Sequence, residues 1–169
     1  EILIAGCGTG QHAITTATKY KKSKILALDL SLNSLSYAKR KASELKINNI
    51  DFIQGDILDL ESTDTKFDII ESVGVLHHMN NPFEGWKILT SCLNNDSLML
   101  IGLYSEKARQ HIIQIKNRIK KLKIESNYKN ITKFRKDLVE NNKDLLNNVN
   151  SSPDFYTVSG VRDLLFHVQ

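Results

Sequence analysis

Three glycines separated by single residues, Gly6, Gly8 and Gly10, follow the apolar run Ile2 to Ala5, and a carboxylate, Asp29, stands roughly twenty residues further along. Glycine takes φ > 0 freely and has no Cβ, so a turn of this kind after a buried strand lets backbone come very close to a ligand. Asp29 ends a second apolar run, Lys24 to Leu28. A carboxylate at the tip of that strand is placed to accept hydrogen bonds from both hydroxyls of a ribose. Ser31 is the better N-cap for the helix that follows, which leaves Asp29 free for this role. The spacing is G-x-G-x-G, with Gln11 where the dinucleotide fingerprint needs its third glycine. That disfavours nicotinamide and flavin cofactors and points to another nucleoside-containing ligand.

The elements that must position these residues alternate regularly up to residue 103. A third strand, Ile50 to Gln54, leads into Gly55-Asp56-Ile57, and a fourth, Phe67 to Val73, leads into Gly74-Val75-Leu76-His77-His78-Met79. In an open parallel sheet the ligand crevice lies outside the carboxyl ends of the strands, so Gly6 to Gly10, Asp29, Asp56 and Ser72 to Met79 should converge there. Helices are predicted from Ala13, Ile14 and Ala17, from Leu35, Ala38, Ala42 and Leu45, and from Pro82 onward with Phe83, Trp86, Leu89 and Leu93 buried. Asn94 to Ser97 is read as a turn into a fifth strand, Leu98 to Leu103, because Asn and Asp tolerate the left-handed conformation.

These pieces, in this order, resemble the class I S-adenosylmethionine-dependent methyltransferases: the GCGTG turn, Leu28-Asp29-Leu30-Ser31, Gln54-Gly55-Asp56-Ile57, and Phe67-Asp68-Ile69-Ile70 running into Gly74 to Met79. A closer resemblance is to bacterial modules with Gly102-Leu103-Tyr104-Ser105-Glu106 after the fifth strand, and with Asp154-Phe155-Tyr156 ahead of Ser159 to Leu165. The resemblance implies an α/β, Rossmann-like open parallel sheet in the order 3-2-1-4-5 with flanking helices and a C-terminal helical lid, the last two strands of the family fold being absent. It implies S-adenosylmethionine as cofactor. Gly6, Cys7, Gly8 and Gly10 would pass under the methionine, Asp29 would hold the ribose, and Leu30 would pack on the adenine. Asp56 would take the adenine amino group and Ile57 its ring edge, while the backbone of Ser72 and Val73 would face the methionine amino group. Many relatives carry an acidic residue two positions before the first glycine; here that position is Ile4, so Glu1 or a backbone carbonyl would have to substitute.

Composition narrows the alternatives. A chain of 169 residues suits one domain with a sizeable core, read as a cofactor-binding core over 1–104 and a helical substrate or lid region over 105–169 of the same domain. No stretch approaches the roughly 18 consecutive apolar residues of a membrane helix, so no membrane partner is expected and a cytoplasmic location is the default. The two cysteines, Cys7 and Cys92, have no metal-ligand spacing, and no metal is expected. The net charge of +4 is spread along the chain as lysine, so nucleic acid is not the expected partner. The exception is Lys116 to Lys123, where Lys116, Lys120, Lys121 and Lys123 keep an RNA-binding methyltransferase as one rival reading. A non-catalytic S-adenosylmethionine-binding module is the other.

Beyond Tyr104 the period changes to helical stripes: Ala108, Ile112, Ile115, Ile119 and Leu122, then Ile131, Phe134, Leu138, Leu145 and Val149, with a short third helix over Val158 to His167. This layer is expected to be where the acceptor is chosen. Methyl transfer from a sulfonium gains much of its acceleration from alignment, so a base is needed only if the nucleophile must lose a proton. His77 and His78 are the candidates for that role, with Tyr104 and Tyr156 as candidate substrate contacts. The fourth strand lacks an Asn-Pro-Pro-Tyr type sequence, which points away from planar amide or base nitrogens and toward a small-molecule acceptor. The run Phe166 to Gln169 stops before two further strands of the resembled fold, so the chain is read as part of a longer domain. Strand Leu98 to Leu103 would then be an edge, expected either to pair with a second copy of the chain or to be covered by the C-terminal segment.

Overall fold

The computed structural model describes residues 1–105, 107–147 and 149–166. They form two compact units, Glu1–Leu103 and Tyr104–Gln169. The first is built on strands β1 (Ile2–Ala5), β2 (Ile25–Asp29), β3 (Ile50–Gln54), β4 (Phe67–Val73) and β5 (Leu93–Gly102). All pairs are parallel and the order is 3-2-1-4-5, as the resemblance implies.

Helices α1 (Gln11–Lys19) and α2 (Leu32–Glu44) share one core with a face of the sheet, and α3 (Pro82–Ser91) shares the other. Ile2 and Ile4 pack with Ala13, Ala17, Leu35 and Ala42, whereas Leu3 and Ala5 pack with Ile70, Leu76 and Leu89. A strand covered on both sides needs the unbroken apolar run seen in β1. Strand order reverses between β1 and β4, and the crevice at such a switch point is where ligands bind in this architecture. Ser31 caps α2 as expected, its side chain accepting from the N–H of Ser34.

Three packing expectations are corrected. On α3 the buried residues are Gly85, Ile88 and Leu89, while Phe83 is 78% and Trp86 37% exposed. The helix seats its smallest residue inward: a Cβ on Gly85 would lie 2.5 Å from Met79 Sδ. Leu45 is exposed past the end of α2, whereas on α1 Ile14 packs against the core with Ala13 and Ala17 as expected, and Thr16 is buried there too. Leu93, expected on the helix face, instead starts β5 opposite Phe67. The next registered pair is Ile69 with Leu98, so Asn94 to Ser97 bulge out of the strand. Asp96 takes φ 58° there, and Asn94 Nδ2 donates to Asp68 Oδ1 at 2.8 Å. Among the described residues β5 is an edge strand, with Leu98 71% exposed.

The second unit comprises α4 (Gln110–Lys121), α5 (Tyr128–Asn141), α6 (Lys143–Asn147), a tight turn at Pro153–Tyr156, and α7 (Val158–Val161), which continues as a wider turn over Arg162–Phe166. Ile112, Ile115 and Ile119 of α4 pack with Ile131, Phe134 and Leu138 of α5 and with Val149, Phe155 and Leu165. The second apolar stripe is therefore two helices, broken at Asn142. There the side chain donates to Asp137 Oδ2 at 3.0 Å and accepts from Arg118 Nη1 at 2.9 Å. Leu122 ends exposed at the C-terminus of α4. Glu106, Asn148, His167, Val168 and Gln169 lie outside the described residues, and with them the end of the expected third helix. No described helix is long and apolar enough to cross a membrane.

Candidate functional site

The glycine turn hangs from β2. The N–H groups of Gly6 and Cys7 both donate to the carbonyl of Leu28, at 2.8 and 2.9 Å. Its glycines do different work. A Cβ on Gly6 (φ 82°) would lie 2.3 Å from Val75, and one on Gly10 (φ 85°) 2.4 Å from the Cβ of Ala38. Gly8 (φ 52°) has nothing within 4 Å of its Cβ direction. Two glycines thus serve packing, and the middle one faces open space.

Asp29 is not the uncommitted carboxylate the sequence suggests. Oδ2 accepts from the N–H of Gly8 at 2.7 Å and Oδ1 from the N–H of Ser31 at 2.9 Å. A carboxylate offers about four lone-pair sites, so each oxygen keeps capacity for a further donor. Asp56 is likewise part of its loop: Oδ1 accepts from the N–H of Leu58 at 3.0 Å, starting the tight turn Leu58–Ser62.

A cleft of about 420 Å³ opens at the carboxyl ends of the strands. It gathers Gly6, Asp29, Leu30, Asp56 and Ile57 from the expected set, and His78 with them. Leu58, Asn80, Asn81 and Glu84 also line it, none of which the sequence singled out. The one available signal for Glu84 was its place in the first turn of a helix leaving the fourth strand. A second hollow of about 440 Å³ shares Gly6 and adds Cys7, Gly8, Thr9, His12, Thr15 and Val73. Gly10, Ser72 and His77 line neither. The two histidines stand with ring centroids 4.1 Å apart. Tyr104 lies under the guanidinium of Arg109, 3.6 Å from ring centroid to Cζ, and Tyr156 donates to the carbonyl of Asn150 at 2.9 Å.

Burial pushes the Cys7 thiol up to about 12, with the Asp29 carboxylate adding to the effect. At 7% exposure it is a neutral, inert side chain beneath the turn. Among the described residues no group of three or more His, Cys, Asp or Glu could hold a metal ion. Glu1, considered as a substitute for the missing acid at Ile4, precedes β1 and so stands a strand length from Gly6.

The chain is similar to known proteins. Residues 1–151 match the family described as methyltransferase domain. An uncharacterized protein of Synechococcus is 34% identical over 120 residues, 70% of this chain and 29% of that protein. A probable (S)-tetrahydroprotoberberine N-methyltransferase of Papaver bracteatum is 31% identical over 113 residues, 67% of this chain and 31% of that one. The chain therefore spans about a third of the length of these relatives. Among solved structures, PKMT2 from Rickettsia typhi in complex with AdoHcy superposes with a TM-score of 0.65 over 99% of this chain and 32% of its own, at 23% identity, which speaks to the fold alone. With most of its length matched and the sheet order in place, the chain belongs to the methyltransferase domain family.

Proposed function

We propose that the cleft at the ends of β1 to β4 binds S-adenosylmethionine and that the chain serves methyl transfer to a small-molecule acceptor. The observation that carries this reading is the convergence of four sequence-distant segments on one cleft, with two carboxylates that retain acceptor capacity. The residues fit the cofactor. Gly8 leaves room over the turn for the methionine portion, Asp29 can still accept from ribose hydroxyls, and Leu30, two-thirds exposed, offers an apolar surface to the base. Asp56 Oδ2, without a hydrogen-bond partner among the described residues, suits the amino group of adenine. When bound, the cofactor supplies an electrophilic methyl group on a sulfonium. The chain's own contribution is to hold the nucleoside and keep the approach line open, since alignment supplies much of the acceleration. Of the two candidate bases, His78 lines the cleft, and it is the one we assign to an acceptor that must lose a proton.

The acceptor atom we favour is nitrogen, because the Papaver relative is named an N-methyltransferase. The test is titration calorimetry with S-adenosylhomocysteine, followed by transfer of labelled methyl from S-adenosylmethionine to a panel of secondary and tertiary amines. Binding together with label in an amine supports both parts. No binding overturns the reading, and binding with no transfer to any acceptor class leaves the cofactor assignment standing and removes the transferase.

A further inference from the structure

Strands β2 and β3 end together, on the registered pair Asp29 and Gln54. The N–H of Gly55 still donates to the carbonyl of Asp29, at 3.2 Å, and the next link is made by a side chain: Gln54 Nε2 donates to the carbonyl of Leu30 at 3.1 Å. A carbonyl can only accept, so the amide must turn its nitrogen that way. The carbonyl of Leu30 and the N–H of Ser31 belong to one planar peptide unit. That N–H donates to Asp29 Oδ1 at 2.9 Å, while Oδ2 accepts from the N–H of Gly8. The peptide between Leu30 and Ser31 is therefore held on both sides, by Gln54 at its oxygen and by Asp29 at its hydrogen. Hydrogen bonds in such a chain polarise one another, so a carbonyl that accepts makes the N–H of the same peptide a better donor.

We infer that Gln54 is a positioning residue: by fixing the peptide between Leu30 and Ser31 it sets the plane of the Asp29 carboxylate, and with it the direction of the lone pairs left for the two ribose hydroxyls. This rests on the cofactor reading above. Two donors define how that carboxylate sits, and they are anchored differently. Gly8 belongs to the turn that hangs from the carbonyl of Leu28. Ser31 lies between β2 and the first turn of α2, where Gln54 ties down the carbonyl of the peptide that carries its N–H. Gln54 is exposed, so water can replace its amide at that carbonyl at little cost to the fold, but a water molecule does not fix the peptide's direction. The side chain therefore matters more to the ligand than to stability. Gln54 lines neither hollow, and its role is exercised through Asp29 rather than by contact.

The test is calorimetric titration of the wild-type chain, Gln54→Met and Gln54→Glu with S-adenosylhomocysteine and its 2′,3′-dideoxy analogue, together with urea unfolding without ligand. Methionine matches glutamine in length but has no donor, and glutamate keeps the shape while setting an oxygen against the carbonyl. The wild type is expected to prefer S-adenosylhomocysteine to the dideoxy analogue. Both variants should bind S-adenosylhomocysteine roughly threefold to tenfold more weakly, while binding the dideoxy analogue as before and unfolding at a nearly unchanged urea midpoint. Equal weakening toward both ligands would make Gln54 a support for the whole loop and overturn the inference. So would unchanged affinity for S-adenosylhomocysteine in both variants, or two variants that fail to fold, since the bond would then serve stability first. A wild type that binds both ligands equally would remove Asp29 from the ribose and the inference with it, and one that binds neither would overturn the cofactor reading itself.

Discussion

The backbone N–H of Gly8 donates to Asp29 Oδ2 at 2.7 Å, joining the middle of the glycine turn to the tip of the second strand. The carboxylate assigned to the ribose is therefore also the brace of the turn assigned to the methionine. Substitution at either position should be felt at both.

Asp29→Ala is expected to weaken S-adenosylhomocysteine binding roughly tenfold to a hundredfold, since hydrogen bonds to charged groups contribute about 1.5 to 3 kcal/mol. It should also lower stability without ligand, because the N–H of Gly8 loses its acceptor. Asp29→Asn retains one acceptor oxygen and should lose less of each. Calorimetry and urea unfolding on the same samples check both; unchanged affinity in the alanine variant would remove Asp29 from the site.

The three glycines should separate by readout. Gly6→Ala and Gly10→Ala drive a Cβ into Val75 and Ala38, in a left-handed conformation as well, and should cost on the order of 1 to 3 kcal/mol or more of stability. Gly8→Ala meets open space and should cost only the conformational strain, about 1 to 2 kcal/mol. Gly8→Val should lose ligand affinity more than stability, because its side chain enters the space above the turn. Denaturation curves with and without S-adenosylhomocysteine distinguish these cases.

Cys7 makes stability depend on alkaline pH in a defined direction. Its folded-state value, about 12, is raised from an ordinary 9.0, so the folded state favours the protonated thiol. This contribution is fully present below pH 9 and is lost as pH rises toward 12, where the unfolded chain binds fewer protons than the folded one. Wild type should therefore lose more stability than Cys7→Ala between pH 8 and about 10.5 in urea unfolding. Parallel curves would show that burial does not hold the thiol neutral.

Asp56→Asn keeps an acceptor for the N–H of Leu58 while removing the charge proposed to face the base. The expected result is a nearly unchanged unfolding midpoint and a loss of affinity for S-adenosylhomocysteine smaller than that of Asp29→Ala. A drop in stability equal to the drop in binding would make Asp56 a loop residue only.

Strands β1 to β4 were legible because each apolar run is short and meets a glycine, an aspartate or both at its carboxyl end. The stripes of α4 and α5 were legible because apolar residues recur at three and four over more than two turns. The buried face of α3 was not. Phe83, Trp86 and Leu89 satisfy helical spacing as well as Gly85, Ile88 and Leu89 do, and the choice falls to the close approach of Gly85 to Met79. The start of β5 was hidden because a four-residue polar bulge, Asn94 to Ser97, looks like the turn that precedes a strand.

At the candidate site the same division holds. The sequence alone determined the residue types proposed to face a nucleoside, Gly6, Gly8, Gly10, Asp29 and Asp56, because glycine spacing and strand-end carboxylates are local features. Tertiary structure decided what those residues touch: that Asp29 braces Gly8, that Gly10 serves α2 by meeting Ala38, and that Glu71 comes to stand beside Ile4 and under His12. The physical reason is register. Glu71 and His12 are 59 positions apart, and only the parallel pairing of β1 with β4, fixed by the apolar faces packed on both sides of the sheet, brings that carboxylate to α1, the helix that follows the glycine turn.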